Sequence, residues 1–127
     1  MIMKRILIVD DVPAVREVLG EFFQRNRSFA IVHAADGNEA LTQIREFGPD
    51  LVLLDWMMPG EMDGLKVLTT IRSNPRLNDT RGLMISGDGD ARGRDLCVRA
   101  GADGYLSKPF SISKLMEEVD ILLGSGQ

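Results

Sequence analysis

The sequence has little of several things, and each shortage excludes a class of protein. Cysteine occurs once, as Cys97, so no intramolecular disulfide framework exists and a reducing compartment fits. Histidine also occurs once, as His33, so a histidine-rich metal site is excluded. Lysine and arginine total 15 against 19 acidic residues, a net charge of -4, and the basic residues are scattered. A general nucleic-acid surface needs the opposite balance. No apolar run approaches the length of a membrane helix. The start, MIMKRILIVDD, turns acidic directly after a strand-like run, which a secretory leader does not do. No repeat or low-complexity stretch is present, and GSGQ at 124–127 reads as a linker start or unstructured tail.

What is there is ordinary globular material: 127 residues, 44% hydrophobic and 27% charged. That length suits one domain able to bury a sizeable core. Five short apolar runs alternate with five helix-like stretches. The runs are Arg5 to Val9, Ala30 to Ala34, Leu51 to Leu54, Gly82 to Ile85 and Gly104 to Leu106. Unbroken ILIV and LVLL segments suit strands covered on both faces, as in a parallel sheet. The first helix opens at Pro13 and sets Val15, Val18, Leu19, Phe22 and Phe23 on one face. A second, from about Asn38 to Phe47, turns Ala40, Leu41, Ile44 and Phe47 inward and stops before Gly48-Pro49. The third uses Leu65, Leu68 and Ile71. The fourth, about Ala91 to Ala100, is poorly apolar and contains Gly93. The fifth uses Ile112, Leu115, Met116, Val119 and Leu122, capped by Ser111 and ended by Gly124. Fivefold strand-helix alternation predicts a three-layer α/β/α sandwich with right-handed crossovers.

In such sheets ligands sit at the carboxyl ends of the strands. Those ends carry Asp10-Asp11, Asp55, Ser86 and Ser107-Lys108-Pro109. Three carboxylates in one pocket repel each other and call for a cation. Mg2+ takes oxygen ligands and keeps several waters, so this donor set suits it. A lysine and a hydroxyl opposite the acids suit an anion beside the metal. Together they form equipment for phosphoryl chemistry with a carboxylate nucleophile. Each residue alone has a plainer reading, such as a turn or a helix cap; their joint position at different strand ends carries the argument.

The chain resembles the receiver domain of bacterial response regulators over nearly its whole length. The resemblance rests on ILIVDD (6–11), ADGNEAL (35–41), PDLVLLDWMMPG (49–60), MDGL (62–65), AGADGYLSKPF (100–110) and Ser86. It implies a flavodoxin-like (βα)5 fold with a five-stranded parallel sheet in order 2-1-3-4-5, and a receiver unit spanning 1–123. It implies a cytoplasmic phosphorylation switch of two-component signalling rather than a turnover enzyme. Its phosphoryl donor would be a histidine kinase or phosphotransfer domain. By this resemblance Asp55 is the phosphoacceptor. Asp11, Asp55 and the main-chain carbonyl of Met57 are Mg2+ ligands, with Asp10 holding metal-bound water. Lys108 pairs with the phosphoryl group, and Ser86 and Tyr105 are the switch pair. The Lys108-Pro109 bond is cis, aiming the lysine into the pocket. The fourth helix, fifth strand and fifth helix form the output face, which also allows a phosphorylation-dependent dimer. The domain itself would touch neither nucleic acid nor membrane.

Two departures stand out. Gly60-Glu61 gives the loop after the third strand one residue more than the family usually has. Met57 and Asp88, each two positions beyond a site residue, occupy places that tune loss of the phosphoryl group. Met57 is a poor partner for an attacking water, while Asp88 is suited to orienting one but opposes the phosphoryl charge. Slow to intermediate self-dephosphorylation is expected.

Other readings weigh less. An aspartyl-phosphate hydrolase of small phosphomonoesters wants a second acid where Met57 stands. A phosphorylation-independent interaction module fits better with Asp55 or Lys108 missing. A flavin carrier wants a Ser/Thr-rich loop after the first strand. The G-x-G-x-x-x-G stretch from Gly87 to Gly93 is on the wrong strand for a dinucleotide fingerprint. His33 reads as a strand-end surface residue, Cys97 as core, and Trp56, Met57, Met58 and Met62 as a packing cluster. Arg92, Arg94 and Arg99 read as a solvated helix face.

Overall fold

The computed structural model describes residues 3–25, 29–87 and 91–124. Strand β1 (Lys4–Val9) leads into helix α1 (Pro13–Gln24), then β2 (Phe29–Ala34) and α2 (Gly37–Phe47). Next come β3 (Leu51–Asp55), α3 (Gly64–Arg72), a 3-10 turn (Pro75–Leu77) and β4 (Arg81–Ser86). The chain continues through α4 (Ala91–Arg99), β5 (Gly104–Ser107) and α5 (Ile112–Leu123). The five strands are parallel in the order β2-β1-β3-β4-β5. The expected sandwich and strand order therefore hold. The strands run a residue or so beyond the apolar runs, and the short 3-10 turn had no counterpart in the periodicity.

Alternation within each buried strand divides the core into two halves. Ile6, Ile8, Leu51, Leu53, Leu83, Ile85 and Leu106 face Leu19 and Phe23 of α1 and Leu115 and Val119 of α5. Leu7, Val9, Val52, Leu54 and Met84 face the other way, toward Ala40 and Ile44 of α2, Val67, Leu68 and Ile71 of α3, and Cys97 of α4. Each fully buried side chain of this size contributes about 1.5–3 kcal/mol. The inner strands are apolar on both faces because both faces are covered.

Local signals set the helix ends. Asp36 accepts from the Glu39 amide at 2.8 Å, and Asp63 from the Lys66 amide at 2.9 Å. Ser111 accepts from the Lys114 amide at 3.0 Å, as the sequence indicated. Gly48 and Gly124 end α2 and α5 in the left-handed conformation. Positions 125–127 of the expected tail lie outside the described residues.

Several inward assignments change. Val18 is 60% exposed, and Ile112 is also exposed. Helical spacing marks a face, but how far that face reaches under the sheet depends on where the axis lies. Val67 points fully inward instead and belongs to the core. His33 is only partly at the surface. It is half-buried against Gly20, where an added Cβ would come within 2.9 Å of the ring. Its Nδ1 is buried without a hydrogen-bond partner. Burial, and then the charge of Arg16, hold its pKa below the ordinary value.

Candidate functional site

The parallel topology brings the carboxyl ends of β1, β3, β4 and β5 to one edge. Asp10 follows β1 and Asp55 closes β3, and both are buried, with 4% and 5% exposure. Asp11 stands at the more open rim. Carboxylate oxygens of all three lie within 4.8 Å of one another. Lys108, just past β5, sets its Nζ 3.3 Å from Asp55 Oδ1 and 3.8 Å from Asp10 Oδ2. Ser86 closes β4, is buried, and pairs in register with Ser107. The Lys108 amide donates to the Ser86 carbonyl at 2.8 Å. The Lys108-Pro109 bond is cis.

The local backbone explains why these groups converge. Asp10 Oδ1 accepts from the Val12 amide at 2.9 Å, which turns the chain from strand into α1. Arg16 of α1 donates to the Asp10 carbonyl at 2.6 Å, pinning the same turn. Beyond Asp55, the Trp56 amide donates to the Ile85 carbonyl at 2.9 Å, extending the β3–β4 ladder. The Gly64 amide donates to the Trp56 carbonyl at 3.0 Å. A Cβ at Gly64 would collide with the Asp55 carbonyl, so only glycine lets α3 begin against the end of β3.

Crowding sets the electrostatics. Burial first, and then the Asp10 charge, raise the Asp55 pKa above its ordinary value near 3.8, while Lys108 opposes the rise. An acid held so is under electrostatic pressure that a cation relieves. Three hard oxygen donors, none replaced by sulfur or nitrogen, fit a small divalent ion such as Mg2+.

Ser86 and Tyr105, expected as a switch pair, occupy separate places. Ser86 borders the acidic edge. Tyr105, on β5, is buried in the core half beside Met84 and Cys97, and the Arg94 guanidinium carbon lies 5.7 Å from its ring centre. The Met57 side chain is 72% exposed, apart from Met58, Trp56 and Met62, which pack on the core. The packing cluster expected of these four is thus three residues. Asp88 and most of the glycine-rich loop lie outside the described residues. Sequence reasoning missed Arg16, whose partner is the Asp10 carbonyl six residues back across the β1–α1 turn. Arg94 is exposed, as expected of a solvated face, yet its guanidinium lies beside the Tyr105 ring.

A parallel α/β sandwich that gathers an acidic cluster and Lys108 at its strand ends places the chain among α/β domains with a polar site at one sheet edge. Within that class, the family model for the response regulator receiver domain matches residues 6–120, and the chain belongs to that family. It is 33% identical over 120 residues to the phosphate regulon transcriptional regulatory protein PhoB of Klebsiella pneumoniae, covering 94% of this chain and 52% of that protein. The chain thus spans about half the length of that relative. Among solved structures, the receiver domain of Francisella response regulator 1452 superposes with a TM-score of 0.87 at 31% identity, covering 98% of this chain and 99% of that one. CheY in the CheX-CheY-BeF3-Mg+2 complex of Borrelia burgdorferi superposes with a TM-score of 0.86 at 31% identity, covering 96% and 90%. No helix among the described residues is long and apolar enough to cross a membrane.

Proposed function

We propose that this receiver domain is a phosphorylation-dependent switch in which Asp55 takes a phosphoryl group from a partner's phosphohistidine. The observation that carries the reading is the approach of three carboxylates within 4.8 Å, with an ammonium 3.3 Å from Asp55. An Asp55 carboxylate oxygen forms a bond to phosphorus as the phosphorus–nitrogen bond breaks. The electron pair returns to the departing imidazole, which takes up a proton. Lys108 neutralises charge on the phosphoryl oxygens as they rearrange. Asp11, Asp55 and the Met57 carbonyl would hold Mg2+, with Asp10 supporting its waters. Bound there, the ion supplies charge neutralisation and orientation for phosphoryl transfer.

The product is an acyl phosphate, a temporary mark adding roughly -1.5 to -2 charge by analogy with other phosphoresidues. Ser86 bonds a phosphoryl oxygen, and Tyr105 follows in the space beside it. The change reaches the α4-β5-α5 face, which serves as output surface and as the site of a phosphorylation-dependent dimer. The donor is a histidine kinase or phosphotransfer domain, and the setting is the cytoplasm. The reading is strengthened by the BeF3 and Mg+2 in the Borrelia burgdorferi complex, whose CheY shares this fold. The full-length relative is a transcriptional regulator, and in this reading residues 1–123 act as the receiver unit. Turnover of external phosphomonoesters is disfavoured because the exposed Met57 side chain offers no acid or base.

The test is incubation with Mg2+ and a small-molecule phosphodonor, followed by intact mass. One added phosphoryl group, absent in Asp55→Ala, is the expected result. No uptake in the native chain refutes the reading.

A further inference from the structure

Away from the acidic edge, a cation meets an aromatic ring between α4 and β5. Arg94 lies on α4, and its guanidinium carbon sits 5.7 Å from the centre of the Tyr105 ring on β5. The ring is buried at 7% exposure, while Arg94 itself reaches from an exposed position on the helix. A cation over a ring face is attracted by the ring's negative quadrupole. Helix α4 otherwise holds the sheet lightly: among its described residues only Gly93 and Cys97 are buried. A contact from Arg94 to Tyr105 therefore adds appreciably to the seating of both the helix and the ring.

We infer that Arg94 is a positioning residue for the switch, holding Tyr105 in its buried place by a cation–π contact and so coupling α4 to β5. The inference deepens the proposed function, on which the role of Tyr105 as a switch rests. Arg94 touches no reacting atom. It acts by setting how much of the population already has Tyr105 seated before Asp55 is modified. Removal of the cation lowers that seated fraction relative to the unseated one by about two- to fivefold, the scale of such contacts near a surface. The step induced by phosphorylation then becomes larger, because it starts from a less seated ring.

Tyr105 is the single tyrosine of the chain, so one label reports on it alone. The protein carrying 3-fluorotyrosine gives one fluorine resonance. In Arg94→Met, which keeps an apolar stem and drops the charge, that resonance is expected to move toward the free amino acid. Arg94→Lys is expected to keep it near the native position. Fluorescence of the single tryptophan, Trp56, and the denaturation midpoint check that each variant is folded. A native-like resonance in folded Arg94→Met overturns the inference, as does Arg94→Lys behaving like Arg94→Met. Both arms use the unmodified protein, so they are decided independently of phosphoryl uptake. Failure of Asp55 to accept a phosphoryl group removes the switch reading, whereas an unmoved resonance with normal uptake removes only the role of Arg94.

Discussion

Replacing Asp55 with asparagine is expected to make the fold more stable at neutral pH, although it removes the residue on which the proposed function turns. Asp55 is buried, and its carboxylate neighbours lie within 4.8 Å. Two like charges at that distance repel by about 3.5 kcal/mol at an effective dielectric near 20. Lys108 at 3.3 Å returns about 5 kcal/mol on the same scale, but it stands against two carboxylates, and its side chain is 37% exposed, so solvent screening discounts it. Burial of the charge adds to the penalty, leaving a net gain of about 2 kcal/mol for Asp55→Asn. The sign with pH follows from the raised pKa. An acid whose folded pKa lies above its unfolded one favours the fold only while protonated, and that contribution is lost as pH rises through the folded value. The advantage of the variant should therefore vanish below the ordinary carboxylate pKa near 3.8 and grow above it until Asp55 is fully ionised. Urea denaturation of both proteins from pH 3.5 to 8 measures the difference, and a thermal shift of about 8 °C at pH 7 is the expected scale. Added Mg2+ should narrow the gap by stabilising the native chain more than the variant. A variant equal to or less stable than the native chain at pH 7 without Mg2+ refutes the account of a strained acidic cluster.

Three further outcomes follow from other contacts. Asp103→Ala should cost about 2–3 kcal/mol by denaturant midpoint, because Asp103 accepts from both Arg72 at 2.7 Å and the Gly82 amide at 2.9 Å; a loss under 0.5 kcal/mol would show that water replaces it. The Cys97 thiol is pushed up to about 11 by burial, so a thiol reagent at pH 8 should modify it only as fast as the fold opens, and rapid stoichiometric labelling of the native protein would contradict that. Met57→Asn places a hydrogen-bonding side chain at an exposed position two residues past the proposed phosphoacceptor. It should shorten the phosphoryl lifetime several-fold by intact mass over time, and an unchanged decay rate removes the role given to Met57.

Much of the site was legible because it sits in contiguous signals. Asp10-Asp11 follow one apolar run and Asp55 ends another, so a parallel sheet alone puts them together. Ser111 and Gly124 declare the bounds of α5 through chemistry confined to a few residues. The misassignments have a common cause. Val18 lies on the same helical stripe as Leu19 and Phe22, yet it faces solvent while Leu19 and Phe23 take the places against the sheet. His33 was set at the surface because it stands at a strand end. The close approach of Gly20 from α1 buries it, and no local pattern announces that approach.

By itself the sequence determined the strand-helix alternation, the two-sided burial of the strands, the caps and the acidic residues at the strand ends, all of which are settled over a few neighbouring residues. Only the tertiary structure decided the 3.3 Å contact of Lys108 with Asp55, the pinning of Asp10 by Arg16, the seating of Tyr105 beneath Arg94 and the collision that reserves position 64 for glycine. Each of these joins segments far apart or set on different elements. Their spacing is fixed by the packing of helices on the sheet, which no short stretch of chain encodes.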